Sequence, residues 1–385
     1  MIPSPRTGHV PRPYPSGRDR NRQWLLLWLC LLSAGSSEAL AAEGRYPHKT
    51  VQRKEFGWGA TSYWLFEPAD PKPESAPVVV FHHGWLAVNP GAYGGWIEHL
   101  VRSGKVVIFP RYQTDAFTRP ADFLPNTLAA VTDALDVLDA APGHVRPDRN
   151  RFAVIGHSAG GNLAAQLAAV ASEARLPKPR AVIALMPGEV QPSREPDLSR
   201  IPADTLLVVT VAEDDRVVGD ARGREIFTLT RAIPLDRKKF VFYRSDLHGT
   251  PRLIAHHLAP TSHHSGLDSG DGLFRGFQIN NAEINALDTA GFWRLADSTL
   301  AAAFAGQTLD EATGGGALFR HLGYWSDGRP VERPVVGDDL SLIPRVIPSN
   351  GVRLVKWSPD LPTLAPADAA GIPVIAEKNS TTIKR

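Results

Sequence analysis

Through its middle the chain alternates short, continuously apolar runs with longer stretches whose apolar residues recur at helical spacing. Residues 50–67 carry two strand-like runs ending in Tyr63-Trp64-Leu65-Phe66, and a polar stretch with Pro71 and Pro73 then turns the chain. Pro77–His82 is a valine-rich run that predicts a strand buried on both faces. Lys105–Phe109, Arg151–Ile155, Arg180–Leu185, Thr205–Val211 and Lys239–Tyr243 read the same way. Helical spacing falls between them, at Trp96–Ser103, in Leu128, Val131, Leu135 and Leu138 between Pro125 and Pro142, in Ala159–Ala171 and near Ala221–Ala232. This order predicts a mostly parallel central sheet with helices on both faces. A long polar loop, 246–278, precedes a helix-like segment around Asn281–Phe304, and no internal repeat is present. Beyond Tyr324 the chain is Pro-rich and without sustained period, so it is expected to wrap the surface and to end in partly disordered residues.

The length of 385 residues suits one large α/β domain with appendages, and a net charge of +2 offers nothing for a nucleic acid or an anionic membrane to recognise. The N-terminus has the layout of a secretory signal peptide. Arg18–Arg22 is basic, Trp24–Leu32 is apolar but too short to span a bilayer, and Ala39-Leu40-Ala41 offers a small-residue cleavage site. The expected division is therefore 1–42 leader, 43–325 catalytic domain and 326–385 tail. The only cysteine, Cys30, falls in the leader, so the mature chain has no thiol chemistry. Export to a periplasm or out of the cell is expected, with no stable membrane insertion after cleavage.

Chemistry enters at Gly156-His157-Ser158-Ala159-Gly160-Gly161, a G-x-S-x-G turn between a predicted strand and a predicted helix. A nucleophile at the tip of so sharp a turn needs small neighbours to let strand and helix pass closely. The N–H of Ala159 at the helix start is placed to face an oxyanion. The plain alternative is a Gly-rich turn with an idle serine. A serine hydroxyl needs a base and the base an orienting acid, and in a parallel sheet both come from loops after strand ends. After Thr205–Val211 come three acids, Glu213, Asp214 and Asp215. After Lys239–Tyr243 comes Asp246-Leu247-His248-Gly249, with a single histidine. The order Ser, acid, His is the one this architecture uses.

With these segments and His82-His83-Gly84-Trp85, the chain resembles the α/β-hydrolases over about residues 50–305, and among them the compact esterases and dienelactone-hydrolase-like members. The resemblance implies an α/β-hydrolase fold without a large cap. It makes Ser158 the nucleophile, His248 the general base and Asp215 the acid, with Asp214 second, because the acid commonly precedes an x-Val-Val step. It places the second oxyanion donor just beyond the His-Gly pair, at Trp85 or next at Leu86. Glu213 and Asp246 then fall to loop and turn stabilisation.

The activity implied is cleavage of a small or lipid-like carboxylic ester through an acyl-enzyme, without metal or organic cofactor. A serine peptidase of the same fold and a non-catalytic binding protein are the competing readings. Trp85, Tyr93 and His157 are candidates for lining the substrate pocket, and loop 249–280 for a partial lid. The pairs His82-His83, His256-His257 and His263-His264 lack zinc-ligand spacing and are read as loop histidines, and 268–272 as a Gly-rich loop rather than a calcium site.

Overall fold

The computed structural model describes residues 46–188, 195–273 and 275–349. The chain divides into two compact units, Met1–Pro47 and His48–Arg385, and the elements below belong to the second. The expected leader with Cys30, and the tail from 350 on, lie outside the described residues.

Nine strands form one sheet: β1 (Thr50–Phe56), β2 (Tyr63–Ala69), β3 (Ser75–His82), β4 (Val106–Pro110), β5 (Arg146–His157), β6 (Pro179–Leu185), β7 (Leu206–Ala212), β8 (Lys238–Tyr243) and β9 (Val335–Gly337). Their order is β1-β2-β4-β3-β5-β6-β7-β8-β9. The strands from β4 across to β8 run parallel, while β1, β2 and β9 pair antiparallel at the two edges. This is an α/β-hydrolase fold.

Within each apolar run successive side chains enter opposite cores, as strand geometry requires. Val79, Phe81, Ile155 and Ile183 pack under α1 (Gly94–Arg102) and α6 (Arg294–Ala305). Val78, Val80, Val154 and Val182 pack under α2 (Pro120–Ala140), α3 (Ala159–Val170) and α4 (Ala221–Leu229). Two short helices, α5 (Arg275–Asn280) and α7 (Leu309–Thr313), lie in the excursion between β8 and β9.

Several boundaries differ from the sequence expectation. Pro125 lies inside α2, which starts at Pro120, where the missing N–H costs nothing; Pro125 forgoes one bond to the Ala121 carbonyl. β5 begins earlier than its apolar stretch because Arg146–Asp148 already pair with Ser75–Pro77, ahead of a register shift at Pro77/Val78. The helix expected over 281–304 is a π-helical turn, Leu287–Trp293, leading into α6. The boundary drawn at 325 is not a domain edge: β9 covers β8, and Val336, Ile343 and Val346 are buried. A segment without periodicity closes the sheet because β8 would otherwise present an open edge. Between β6 and β7 the described residues hold one short 3₁₀ turn, Leu198–Arg200. No helix among the described residues is long and apolar enough to cross a membrane.

Candidate active site

Ser158 sits between the end of β5 and the start of α3 with φ 58° and ψ −123°, a region L residues rarely occupy. The turn is over-determined. Ser158 N–H donates to the Leu185 carbonyl and Gly188 N–H to the Ser158 carbonyl, each at 2.9 Å. A Cβ at Gly156 would run into the Gly160 carbonyl, and one at Gly160 into that of His83. Strand, helix and the loop after β3 can thus meet only if both positions are glycine. Ser158 is 5% exposed, with its hydroxyl at the carboxyl end of the parallel strands.

The histidine facing Ser158 is His257. Its Nε2 lies 2.9 Å from Ser158 Oγ and its Nδ1 2.8 Å from Asp215 Oδ2. Asp215 Oδ1 accepts from the N–H groups of Val217 and Val218, each at 3.0 Å. The fully buried carboxylate is thereby held in one orientation. A carboxylate only accepts, so Nδ1 carries the imidazole proton and Nε2 offers a lone pair to the serine hydroxyl.

The structure corrects the expectation at His248. After β8 the chain makes an out-and-back excursion in which Asp246 and Leu253 exchange both main-chain bonds. His248 lies on that excursion, partly exposed, with Nε2 2.7 Å from Asp327 and Nδ1 3.1 Å from Arg329. The returning strand bonds beside β7, Asp214 N–H donating to the Ala255 carbonyl, and this delivers His257 next to Asp215. In the sequence alone His257 is one of a pair of loop histidines. The usable signal was the short apolar run Leu253-Ile254-Ala255 immediately before it.

The neighbouring acids have other partners. Asp214 accepts from the Ser245 hydroxyl at 2.6 Å, and Glu213 from the Ser245 N–H at 3.0 Å. Asp246 accepts from the His248 and Glu332 N–H groups and from the Trp325 indole. Of the two N–H groups expected from the loop after β3, that of Leu86 is spent on Gln113 Oε1 at 2.7 Å. The Gly84 carbonyl is held by Ala87 N–H at 2.9 Å and faces His83 Nδ1 at 2.6 Å. Because that peptide is planar, the Trp85 N–H points to the opposite side. Ala159 is the first residue of α3, so its N–H has no acceptor within the helix.

Two expected pocket-lining residues are not at a surface. Tyr93 is 1% and His157 2% exposed, and the two side chains hydrogen-bond to each other at 2.8 Å. Burial pushes the Tyr93 phenol upward and, together with the neighbouring His257, pulls His157 well below the usual imidazole value. Trp85 is partly buried and packs with Tyr112, Phe123, Ala159 and Leu163. The stretch considered as a lid is sewn down in its middle. Asp268 accepts from Asn89 and Arg275, and Ser262 exchanges main-chain bonds with Ala92 and Gly95. Among the described residues no group of three or more His, Cys, Asp or Glu is gathered as a metal site would require.

A family model described as the alpha/beta hydrolase fold matches residues 78–221. That stretch runs from β3 to the first residue of α4 and carries Trp85, Ser158, Ala159 and Asp215 but not His257. No curated protein matches the chain.

Proposed function

We propose that this chain, whose residues 78–221 match a family model of the alpha/beta hydrolase fold, is a serine hydrolase cleaving carboxylic esters with Ser158, His257 and Asp215. The observation that carries the reading is the unbroken chain of hydrogen bonds from Ser158 Oγ through His257 to Asp215, starting from a serine held at positive φ.

In the proposed reaction Ser158 Oγ attacks the ester carbonyl carbon while its proton passes to His257 Nε2. The negative charge that develops on the carbonyl oxygen is met by the N–H groups of Ala159 and Trp85. One such donor is commonly worth about 2.7–4 kcal/mol of barrier. His257 returns the proton to the departing alcohol oxygen, leaving Ser158 acylated. A water then gives its proton to His257 and attacks the acyl carbon, and the acid leaves as Ser158 recovers its proton. Asp215 keeps the imidazole in the tautomer this sequence needs and faces the imidazolium when it forms.

The test is a panel of short p-nitrophenyl esters alongside peptide anilides, with labelling by a fluorophosphonate probe. Wild-type protein is expected to hydrolyse esters and take the label, and Ser158→Ala to lose both. Faster turnover of anilides would favour a peptidase of the same fold. A folded protein that neither labels nor hydrolyses would overturn the proposal and leave a binding protein. Export follows from the leader-like N-terminus, and N-terminal sequencing of the mature protein checks cleavage near Ala42 or Glu43.

A further inference from the structure

His157, next to the serine in the elbow, has both ring nitrogens engaged. Its Nε2 lies 2.7 Å from the main-chain carbonyl of His257 and its Nδ1 2.8 Å from the Tyr93 hydroxyl. The same hydroxyl lies 2.9 Å from the Gly84 N–H. Proton placement follows by elimination. The carbonyl only accepts, so Nε2 carries a proton. The Gly84 N–H only donates, so the Tyr93 oxygen accepts it; in a neutral imidazole with its proton on Nε2, Nδ1 offers only a lone pair, so the Tyr93 hydroxyl donates to it. All three bonds are satisfied by a neutral His157 in a single tautomer. Desolvation disfavours its charged form, which agrees with that assignment.

These bonds join two parts of the site that come from distant segments. Gly84 immediately precedes Trp85, and a Cβ built on it would lie 3.3 Å from the Ser158 Cβ. At the other end is the main chain of His257. The flanking segments are tied as well: Ser262 N–H donates to Ala92, Gly95 N–H to Ser262 and His264 N–H to Gly91. The Tyr93 ring is held independently, against Phe81 at 5.2 Å and Phe109 at 6.3 Å between centroids. Its packing therefore does not need the hydroxyl.

Resting on the serine-hydrolase reading above, we propose that Tyr93 and His157 are positioning residues: the Tyr93 hydroxyl sets the tautomer of His157, whose Nε2–H holds the main chain of His257, so that base and oxyanion loop keep one register about Ser158. Neither side chain hydrogen-bonds Ser158 Oγ or the His257 ring, although the His157 ring lies 4.9 Å from that ring between centroids. Removing the hydroxyl leaves the Gly84 N–H and His157 Nδ1 without partners in a buried site, and leaves the His257 carbonyl alone to hold the Nε2–H tautomer.

The test compares wild type, Tyr93→Phe, His157→Gln and His157→Ala on one p-nitrophenyl ester. Tyr93→Phe is expected to lower kcat about 10–100-fold with KM within about threefold, the size of effect a small misplacement of a catalytic group produces. His157→Gln, which keeps an amide N–H for the His257 carbonyl, should retain more kcat than His157→Ala. Nitrogen NMR of the histidine-labelled wild-type protein reads the tautomer directly, and His157 should be neutral with its proton on Nε2. Wild-type kcat in a folded Tyr93→Phe would overturn the proposal. So would a His157 that is protonated or carries its proton on Nδ1, whether or not the variants fold. A wild-type protein inert toward every ester fails the underlying reading instead, and is told apart by that.

Discussion

Replacing Asp215 by asparagine separates the orienting carboxylate from the rest of the site while leaving its shape intact. The two oxygens of Asp215 have different tasks: Oδ1 accepts from Val217 and Val218 N–H, and Oδ2 faces His257 Nδ1. An asparagine can present its amide in only one sense. Turning the NH₂ toward Val217 and Val218 would set donors against donors and leave two N–H groups unsatisfied, at about 1–3 kcal/mol each. The carbonyl oxygen therefore stays on those donors and the NH₂ faces His257. Nδ1 must then accept, which moves the imidazole proton to Nε2, where it points at Ser158 Oγ. The serine has lost its proton acceptor with hardly an atom displaced. We expect kcat to fall about 10⁴-fold, as when a wrong tautomer is imposed on such a base, which is about 5.5 kcal/mol of barrier. The assay is initial-rate hydrolysis of a p-nitrophenyl ester at pH 7, with thermal melting followed by circular dichroism to show that the fold survives. Asp214→Asn is the parallel control, since Asp214 bonds Ser245 and Arg216 rather than a histidine; it should stay within about threefold of wild type. A folded Asp215→Asn protein within about tenfold of wild-type kcat would refute the tautomer argument.

Two further predictions concern the histidines and a buried acid. His257→Ala should cost at least about 10⁴ in kcat, whereas His248→Ala, which removes only partly exposed pairing with Asp327 and Arg329, should leave kcat unchanged and cost at most about 1 kcal/mol of stability; the reverse ranking on the same ester would return the base to His248. Asp288 is pushed up to about 8 by burial. Its folded pKa exceeds the unfolded value of about 3.9, so the folded state holds the proton more tightly and stability falls as pH rises between those values, then levels off. Asp288→Asn should therefore raise Tm relative to wild type at pH 9 and lose that advantage near pH 4, and melts showing equal differences at both pH values would contradict it.

The sequence by itself determined the layered α/β architecture, because buried parallel strands must be continuously apolar and Val78–Phe81, Val106–Phe109 and Leu206–Val209 can be little else. It also determined the elbow at Ser158, since Gly156 and Gly160 admit no side chain, and the acid-rich strand end carrying Asp215. These are local signals, written in a few adjacent residues. The structure decided which histidine meets Ser158. His248 comes first after β8, but the bonds between Asp246 and Leu253 carry it away, and those of Asp214 with Ala255 bring His257 back. It likewise decided that Tyr93 and His157 bond each other beneath the surface instead of facing substrate, and that an aperiodic tail closes the sheet as β9. Each outcome depends on contacts between segments far apart in the chain, and residue pattern along one segment carries no record of what another will place beside it.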